Sequence, residues 1–217
     1  MSFTINIIIP YLQIFNTLIA VILNISPIVA FIPVIKGKEK YTNIPILMLI
    51  FTLINNLGWS CYWYRVFRYS PMTCSIICSI IASCFFFIYL YFLSKKNIHK
   101  FIMYSLILFL SEIIIIYICL YHINSLKIYG IMLIVINIIL FIAPGQNLKK
   151  VIRKKNHKLI PIATTIIGCI CSAGWLLFGI IVEDINCIIP NGLGLISSII
   201  TTFIWIYFFC RTRKMMI

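Results

Sequence analysis

The sequence predicts an all-α polytopic membrane protein: seven transmembrane helices, with two parallel three-helix bundles joined by a linker helix (3+1+3). Three observations predict this fold. The composition is 63% hydrophobic and only 10% charged, against about 45–50% apolar and about 25% charged residues in soluble domains. Seven apolar stretches follow one another along the chain, and the first three are related to the last three by an internal repeat. The composition excludes a water-soluble globule and a disordered chain.

Each apolar stretch is long enough to cross a bilayer, which takes about 20 residues as a helix. A helix satisfies its own backbone hydrogen bonds, as the lipid interior requires. The connections are short and leave no room for a soluble domain. The predicted spans cover residues 10–35, 44–64, 71–94, 101–121, 128–147, 160–181 and 189–210.

The basic residues predict the orientation of these spans. Fifteen of the 18 lysines and arginines fall in the loops after spans one, three and five or in the C-terminal tail. The other three, Arg65, Arg68 and Lys127, lie on the opposite side. By the positive-inside rule the N-terminus is outside and the C-terminus cytoplasmic, which requires an odd number of spans. We interpret the net charge of +14 as topology and contact with anionic lipid, not nucleic-acid binding.

An internal repeat with an offset of 116–117 residues relates the two ends of the chain. Rare residues and basic loops recur in it together, which chance similarity between apolar segments does not produce. It divides the chain into a first three-helix repeat (1–94), a linker helix (95–126), and a second repeat with a basic cytoplasmic tail (127–217). The equivalent pairs are Pro27 and Pro144, Pro45 and Pro161, Trp59 and Trp175, Tyr62 and Phe178, Arg68 and Asp184, and Ser75 and Asn191.

Because three is an odd number, a linker helix is needed to return the chain to its starting side, so both units run in the same direction. Parallel repeats of this kind are a transporter architecture, with the substrate site near mid-membrane at the repeat interface.

Two motifs stand out in the repeats: LxN…W…Y at Leu53, Asn55, Trp59 and Tyr62, and W…D…PNxxG at Trp175, Asp184, Pro190, Asn191 and Gly194. At these motifs the chain resembles the SWEET, or saliva-type, sugar transporters of the PQ-loop superfamily, over roughly residues 20–94 and 137–208. The resemblance implies a seven-helix carrier that moves mono- or disaccharides down their gradient by alternating access. It also implies assembly into homo-oligomers.

The resemblance also implies a sugar-binding set. It consists of Asn191, Trp175, Trp59, Ser75 and Asn55. An amide offers an acceptor and two donors to sugar hydroxyls, and an indole covers the apolar face of the ring. Ser75 departs from the family, which has an asparagine in that register. A helix–helix hydrogen bond is the alternative for Asn191.

Four prolines match the family's proline tetrad: Pro27, Pro45, Pro144 and Pro161. A proline inside a helix removes a backbone hydrogen bond and kinks it, so the four predict rocking hinges. For Pro45 and Pro161 the alternative is a helix start, because both follow polar loops and proline is tolerated in a first turn.

Asp184 matches an acid that helps to close the outer gate in the family, and Arg68 takes the symmetric position with Tyr62 beside it. We expect these three residues to form the outer gate; two unrelated loop charges are the alternative. Glu112 lies inside span four. An acid within a span either carries a coupling proton, stays neutral, or forms a hydrogen bond to another helix.

No catalytic triad, Gly-rich phosphate loop or HExxH motif is present, and we predict neither an enzyme, a metal site nor a cofactor. A seven-span receptor shares this topology but is not expected to contain the internal repeat. A PQ-loop carrier of another solute, such as an amino acid, and a transport-inactive homologue stay open. Neither Pro27 nor Pro144 is followed by glutamine, which favours the sugar carrier. The tail carries no retention signal, so we expect the plasma membrane.

Overall fold

The computed structural model describes residues 3–121, 126–157 and 160–214, and these ranges are helical apart from short turns. A short 3-10 turn covers Tyr41–Asn43. The helices are α1 (Phe3–Ile25), α2 (Ile28–Ile35), α3 (Ile46–Arg65), α4 (Tyr69–Ser94), α5 (Ile98–Tyr121), α6 (Leu126–Lys154), α7 (Ile162–Ile181) and α8 (Ile185–Lys214).

Among the described residues, six spans are long and apolar enough to cross a membrane, and the apolar part of α6, Leu126–Leu140, is a shorter seventh. Helices α1 and α2 together form one span, Ile7–Ile35. The predicted seven-helix fold is therefore confirmed. Large apolar side chains such as Tyr11, Phe87 and Phe203 stand 65–72% exposed, which suits a lipid-facing surface and a multi-pass membrane protein.

The fifth span differs most from the prediction. The sequence predicts a span over 128–147, whereas α6 continues without a break through the basic residues to Lys154. Polar residues after Pro144 end the apolar run, but Gln, Asn, Lys and Arg do not stop a helix. Hydropathy therefore located the membrane-crossing part and missed the last two helical turns.

The turns between the second and third helices of each repeat have the same geometry. Phe67 and Glu183 both adopt left-handed φ angles, 56° and 57°. The following amides reach back over five residues, from Arg68 to the Trp63 carbonyl and from Asp184 to the Gly179 carbonyl, both at 2.9 Å. This is the Schellman closure of a helix end. The two turns lie 116 residues apart, the offset of the sequence repeat.

Two compact units divide the described chain. One contains residues Ala20–Ile136; the other contains the chain up to Ile19 together with Asn137–Ile217. Both boundaries fall inside the first helix of a repeat, and they lie 117 residues apart. These units are defined by contacts between residues, whereas the sequence division at residues 94 and 126 follows the internal repeat. The sequence division stays a prediction.

Candidate functional site

In the unit that contains α7 and α8, Cys187 joins two of the predicted sugar-binding residues. The Cys187 thiol on α8 donates to the Trp175 carbonyl on α7, with a sulfur–oxygen distance of 3.3 Å. The Asn191 amide nitrogen donates to the Cys187 carbonyl at 2.8 Å and lies 3.6 Å from its sulfur. Cys187 itself is only 1% exposed. Trp175 and Asn191 thus belong to one hydrogen-bonded cluster.

Asp184 fixes the start of α8 in this unit. Its carboxylate accepts the backbone amides of Asn186 at 3.0 Å and Cys187 at 3.4 Å, which is the role of an N-cap residue. The cap therefore sets the position of Cys187. On α7, Phe178 is fully buried and packs edge-on against the Trp175 indole, with ring centroids 5.6 Å apart.

The same unit buries an asparagine of α1 against α7. Asn16 is 0% exposed, and its carboxamide faces Gly174, the residue before Trp175. A methyl group at Gly174 would collide with the Asn16 carboxamide oxygen. The contact therefore requires glycine at this position.

In the other unit, three aromatic rings of α3 form a cluster. Trp59 stacks on Trp63 with centroids 5.4 Å apart. Tyr62 meets both rings edge-on, at 5.3 Å from Trp59 and 5.2 Å from Trp63. The Trp59–Tyr62 pair repeats the edge-on geometry of Trp175 and Phe178, as the sequence register predicts.

A second pair of equivalent contacts joins the first helix of one repeat to the second helix of the other. Gly58 on α3 lies against Leu133 on α6: a methyl group there would be 2.5 Å from a Leu133 methyl. Gly58 is the repeat mate of Gly174, and Leu133 is the mate of Asn16. The Tyr129 hydroxyl donates to the Gly58 carbonyl at 3.0 Å. The two contacts share their geometry and differ in polarity.

Two further polar side chains of this unit, Ser75 and Asn56, hydrogen-bond to helix groups. The Ser75 hydroxyl is buried and donates to the Pro71 carbonyl at 3.0 Å. Asn55 is half-buried on α3. Its neighbour Asn56 donates to the side-chain oxygen of Asn24 on α1 at 3.0 Å, a partner of the kind that an amide needs inside a membrane.

A family model, several relatives and a solved structure are similar to this chain. A family model described as "Sugar efflux transporter for intercellular exchange" matches residues 127–213. The chain is 25% identical to the sugar transporter SWEET1 of Xenopus laevis, over 77% of this chain and 78% of that protein. It is 23% identical to the bidirectional sugar transporter SWEET10 of Arabidopsis thaliana, over 90% of this chain and 69% of that protein.

A solved structure of a eukaryotic SWEET transporter superimposes with a TM-score of 0.85 at 20% identity, covering 94% of this chain and 98% of that one. The chain shares the fold of this SWEET transporter, and its second repeat matches the family model. Its curated relatives and the matching structure are transporters, not enzymes. The family model covers only the second repeat, and the match to the solved structure extends the fold to both repeats of this chain.

The four predicted hinge prolines occupy three kinds of position. Pro27 lies at the break between α1 and α2. Pro45 and Pro161 directly precede the first residues of α3 and α7, which is the helix-start alternative. Pro144 lies within α6, and its side chain is outside the described set. A hinge role for the four stays a prediction, and a mid-helix kink does not apply to Pro45 and Pro161.

The outer-gate residues lie at equivalent turns. Arg68 and Asp184 both follow the left-handed residue that ends a helix, so their symmetric register is correct. They belong to different compact units, and the latch between them stays a prediction. Tyr62 packs edge-on against Trp59. Glu112 is half-buried within α5.

The sequence analysis did not single out Cys187, Asn16 or Arg65. Arg65 donates to the Cys119 carbonyl and so joins α3 to the linker helix α5. Cys187 and Asn16 act through buried contacts that no motif carries. One signal was available: Asn16 interrupts a long apolar run, and a polar residue in a span needs an explanation.

Proposed function

We propose that this chain is a bidirectional facilitative carrier of mono- or disaccharides that works by alternating access. The observation that carries the proposal is the hydrogen-bonded set of Trp175, Cys187 and Asn191 on α7 and α8. It ties the backbone of Trp175, which carries an indole, to the helix that carries the Asn191 amide. These are the groups that match the apolar face and the hydroxyls of a sugar. The names of the relatives, which are sugar transporters, support the same substrate class.

The second half of the proposed site comes from Trp59, Ser75 and Asn55. In this half a hydroxyl stands where the second repeat has the Asn191 amide, and the Ser75 hydroxyl donates to the Pro71 carbonyl. We infer that substrate selectivity depends chiefly on the second repeat. The alternatives are a PQ-loop-type carrier of another small solute, such as an amino acid, and a transport-inactive homologue.

The proposed setting is the plasma membrane, with the N-terminus outside and the C-terminus in the cytoplasm. The fifteen-to-three distribution of basic residues supports this orientation. Sugar and membrane lipid are the proposed partners, and homo-oligomers are the proposed assembly. Opening and closing would use Pro27, Pro45, Pro144 and Pro161 as hinges and Arg68, Asp184 and Tyr62 as the outer gate.

Uptake of labelled solutes into transporter-deficient cells tests the function. Cells expressing the chain should take up at least one of glucose, fructose and sucrose above the empty-vector rate, and should not take up labelled amino acids. Amino-acid uptake without sugar uptake would favour the PQ-loop alternative. Surface expression without uptake of any of these solutes would favour the inactive homologue.

A further inference from the structure

Asn16 has an unusual environment for a carboxamide. Its side chain is 0% exposed, and neither its amide nitrogen nor its carbonyl oxygen has a hydrogen-bond partner among the described residues. A buried amide without partners is disfavoured, and more so in a membrane span, where water is absent. The Asn16 carboxamide lies against Gly174, where an added Cβ would collide with its oxygen. The α-carbon of a glycine offers at most a weak C–H contact to such an oxygen.

The repeat supplies the comparison that makes this environment informative. Leu133 occupies the position equivalent to Asn16 and packs on Gly58 as Asn16 packs on Gly174. Leucine and asparagine have similar shapes, so an apolar side chain fills this helix contact without loss. Packing alone therefore gives no reason for an amide at Asn16. Its polarity must be used in another arrangement of the helices.

We propose that Asn16 is a further sugar-binding residue, masked against Gly174 in this structure and uncovered when α1 moves away from α7. Its position supports this role, because Gly174 directly precedes Trp175, the indole of the proposed site. Movement of α1 off Gly174 would open the amide beside that indole. A sugar hydroxyl both donates and accepts, so it satisfies both ends of the carboxamide.

The proposal rests on the sugar-transport function, and its test uses the wild type and Asn16→Leu, the side chain found at the equivalent position. Affinity is measured for glucose and for its 2-, 3-, 4- and 6-deoxy analogues, by competition with labelled glucose uptake. If the amide binds one hydroxyl, one analogue should bind the wild type about tenfold more weakly than glucose. Asn16→Leu should bind glucose and that analogue equally, because the pair is non-additive.

Controls separate binding from folding. Leu133→Met changes the equivalent contact without adding polarity and should leave every affinity within twofold of wild type. Asn16→Leu should keep the wild-type melting temperature or raise it, because it removes an unpaired buried amide. If that variant does not reach the surface, Asn16→Ser provides the same comparison of analogues.

The outcomes are distinguishable. No uptake by the wild type would overturn the proposed function, and the inference with it. Wild-type uptake with the same analogue discrimination in Asn16→Leu, or in Asn16→Ser where the leucine variant is absent from the surface, would overturn only the role of Asn16. A lowered melting temperature with unchanged discrimination would assign Asn16 to packing.

Discussion

At the residue scale, a cysteine arranges the best-defined part of the candidate site. Cys187 receives the amide of Asn191 on its carbonyl and donates its thiol to the Trp175 carbonyl. A hydrogen bond to a backbone carbonyl uses one of the two N–H groups of Asn191. The amide nitrogen also lies 3.6 Å from the Cys187 sulfur, and the side-chain oxygen has capacity left for a ligand. The same residue thus takes part in both the helix contact and the proposed sugar contact.

Asn191→Ala should reduce sugar uptake at least about fivefold while surface expression stays normal. Loss of the amide leaves a sugar hydroxyl unpaired in a dry site, which costs about 1–3 kcal/mol, and each 1.4 kcal/mol is about tenfold in affinity. Uptake normalised to surface protein measures the effect.

Asn186→Ala is the matched control, since it makes the same chemical change near the start of α8. Its uptake should stay close to wild type. Equal uptake by wild type and Asn191→Ala would remove Asn191 from the site.

The sequence predicted the types of residue in the site better than their contacts. Trp175 and Asn191 stand out because tryptophan and asparagine are rare in spans and fall in a recurring register. Cys187 does not stand out, because a cysteine in an apolar run normally behaves as a small hydrophobe. Its role depends on the close approach of α7 to α8. Gly179 on α7 allows this approach, because a Cβ added there would lie only 3.1 Å from the Cys187 Cβ.

At the element scale, matched helix ends organise the two repeats. The α3–α4 and α7–α8 turns have left-handed residues and hydrogen bonds at the same places, 116 residues apart. Neither left-handed residue is a glycine: they are Phe67 and Glu183. A side chain in the left-handed region costs roughly 1–2 kcal/mol. The closures are therefore imposed by the helix packing on either side.

Phe67→Gly should stabilise the protein by about 0.5–1 kcal/mol. It relieves the left-handed strain, and the lost ring contacts are few because Phe67 is 77% exposed. The gain is smaller than the strain because glycine loses more chain entropy on folding. A rise in melting temperature of about 2–4 °C per kcal/mol is expected for a chain of this size, measured by thermal unfolding in detergent.

Val66→Gly, one residue earlier at φ −93°, is the control and should lower the melting temperature. A fall with Phe67→Gly as large as the fall with Val66→Gly would contradict the strain argument.

The membrane-crossing parts of the helices were predicted from the sequence more accurately than the helix ends. Apolar runs located all seven spans because lipid tolerates little else over about 20 residues. The ends depend on local chemistry that hydropathy does not register. Helix α6 continues into its basic segment to Lys154, and the prolines at 45 and 161 precede helices instead of bending them.

At the scale of the whole molecule, duplication explains both the likenesses and the differences between the repeats. Gly58 and Gly174 receive a side chain from the first helix of the other repeat, and the edge-on aromatic pairs recur. The polar groups do not recur, because the repeat aligns Asn16 with Leu133 and Asn191 with Ser75. Each repeat has one amide of these two pairs, Asn16 in the first repeat and Asn191 in the second. Which hydroxyls the carrier recognises should therefore depend on the second repeat and the start of α1.

Exchange of sugar by the purified chain in liposomes tests facilitative transport most directly. Liposomes loaded with unlabelled sugar and diluted into a trace of labelled sugar should accumulate label transiently, with no ion gradient and equally with a proton uncoupler present. Asn191→Ala liposomes provide the background. Accumulation that requires a proton gradient would contradict the account and make Glu112 the candidate coupling residue; exchange no faster than in the Asn191→Ala liposomes would contradict the proposed sugar site.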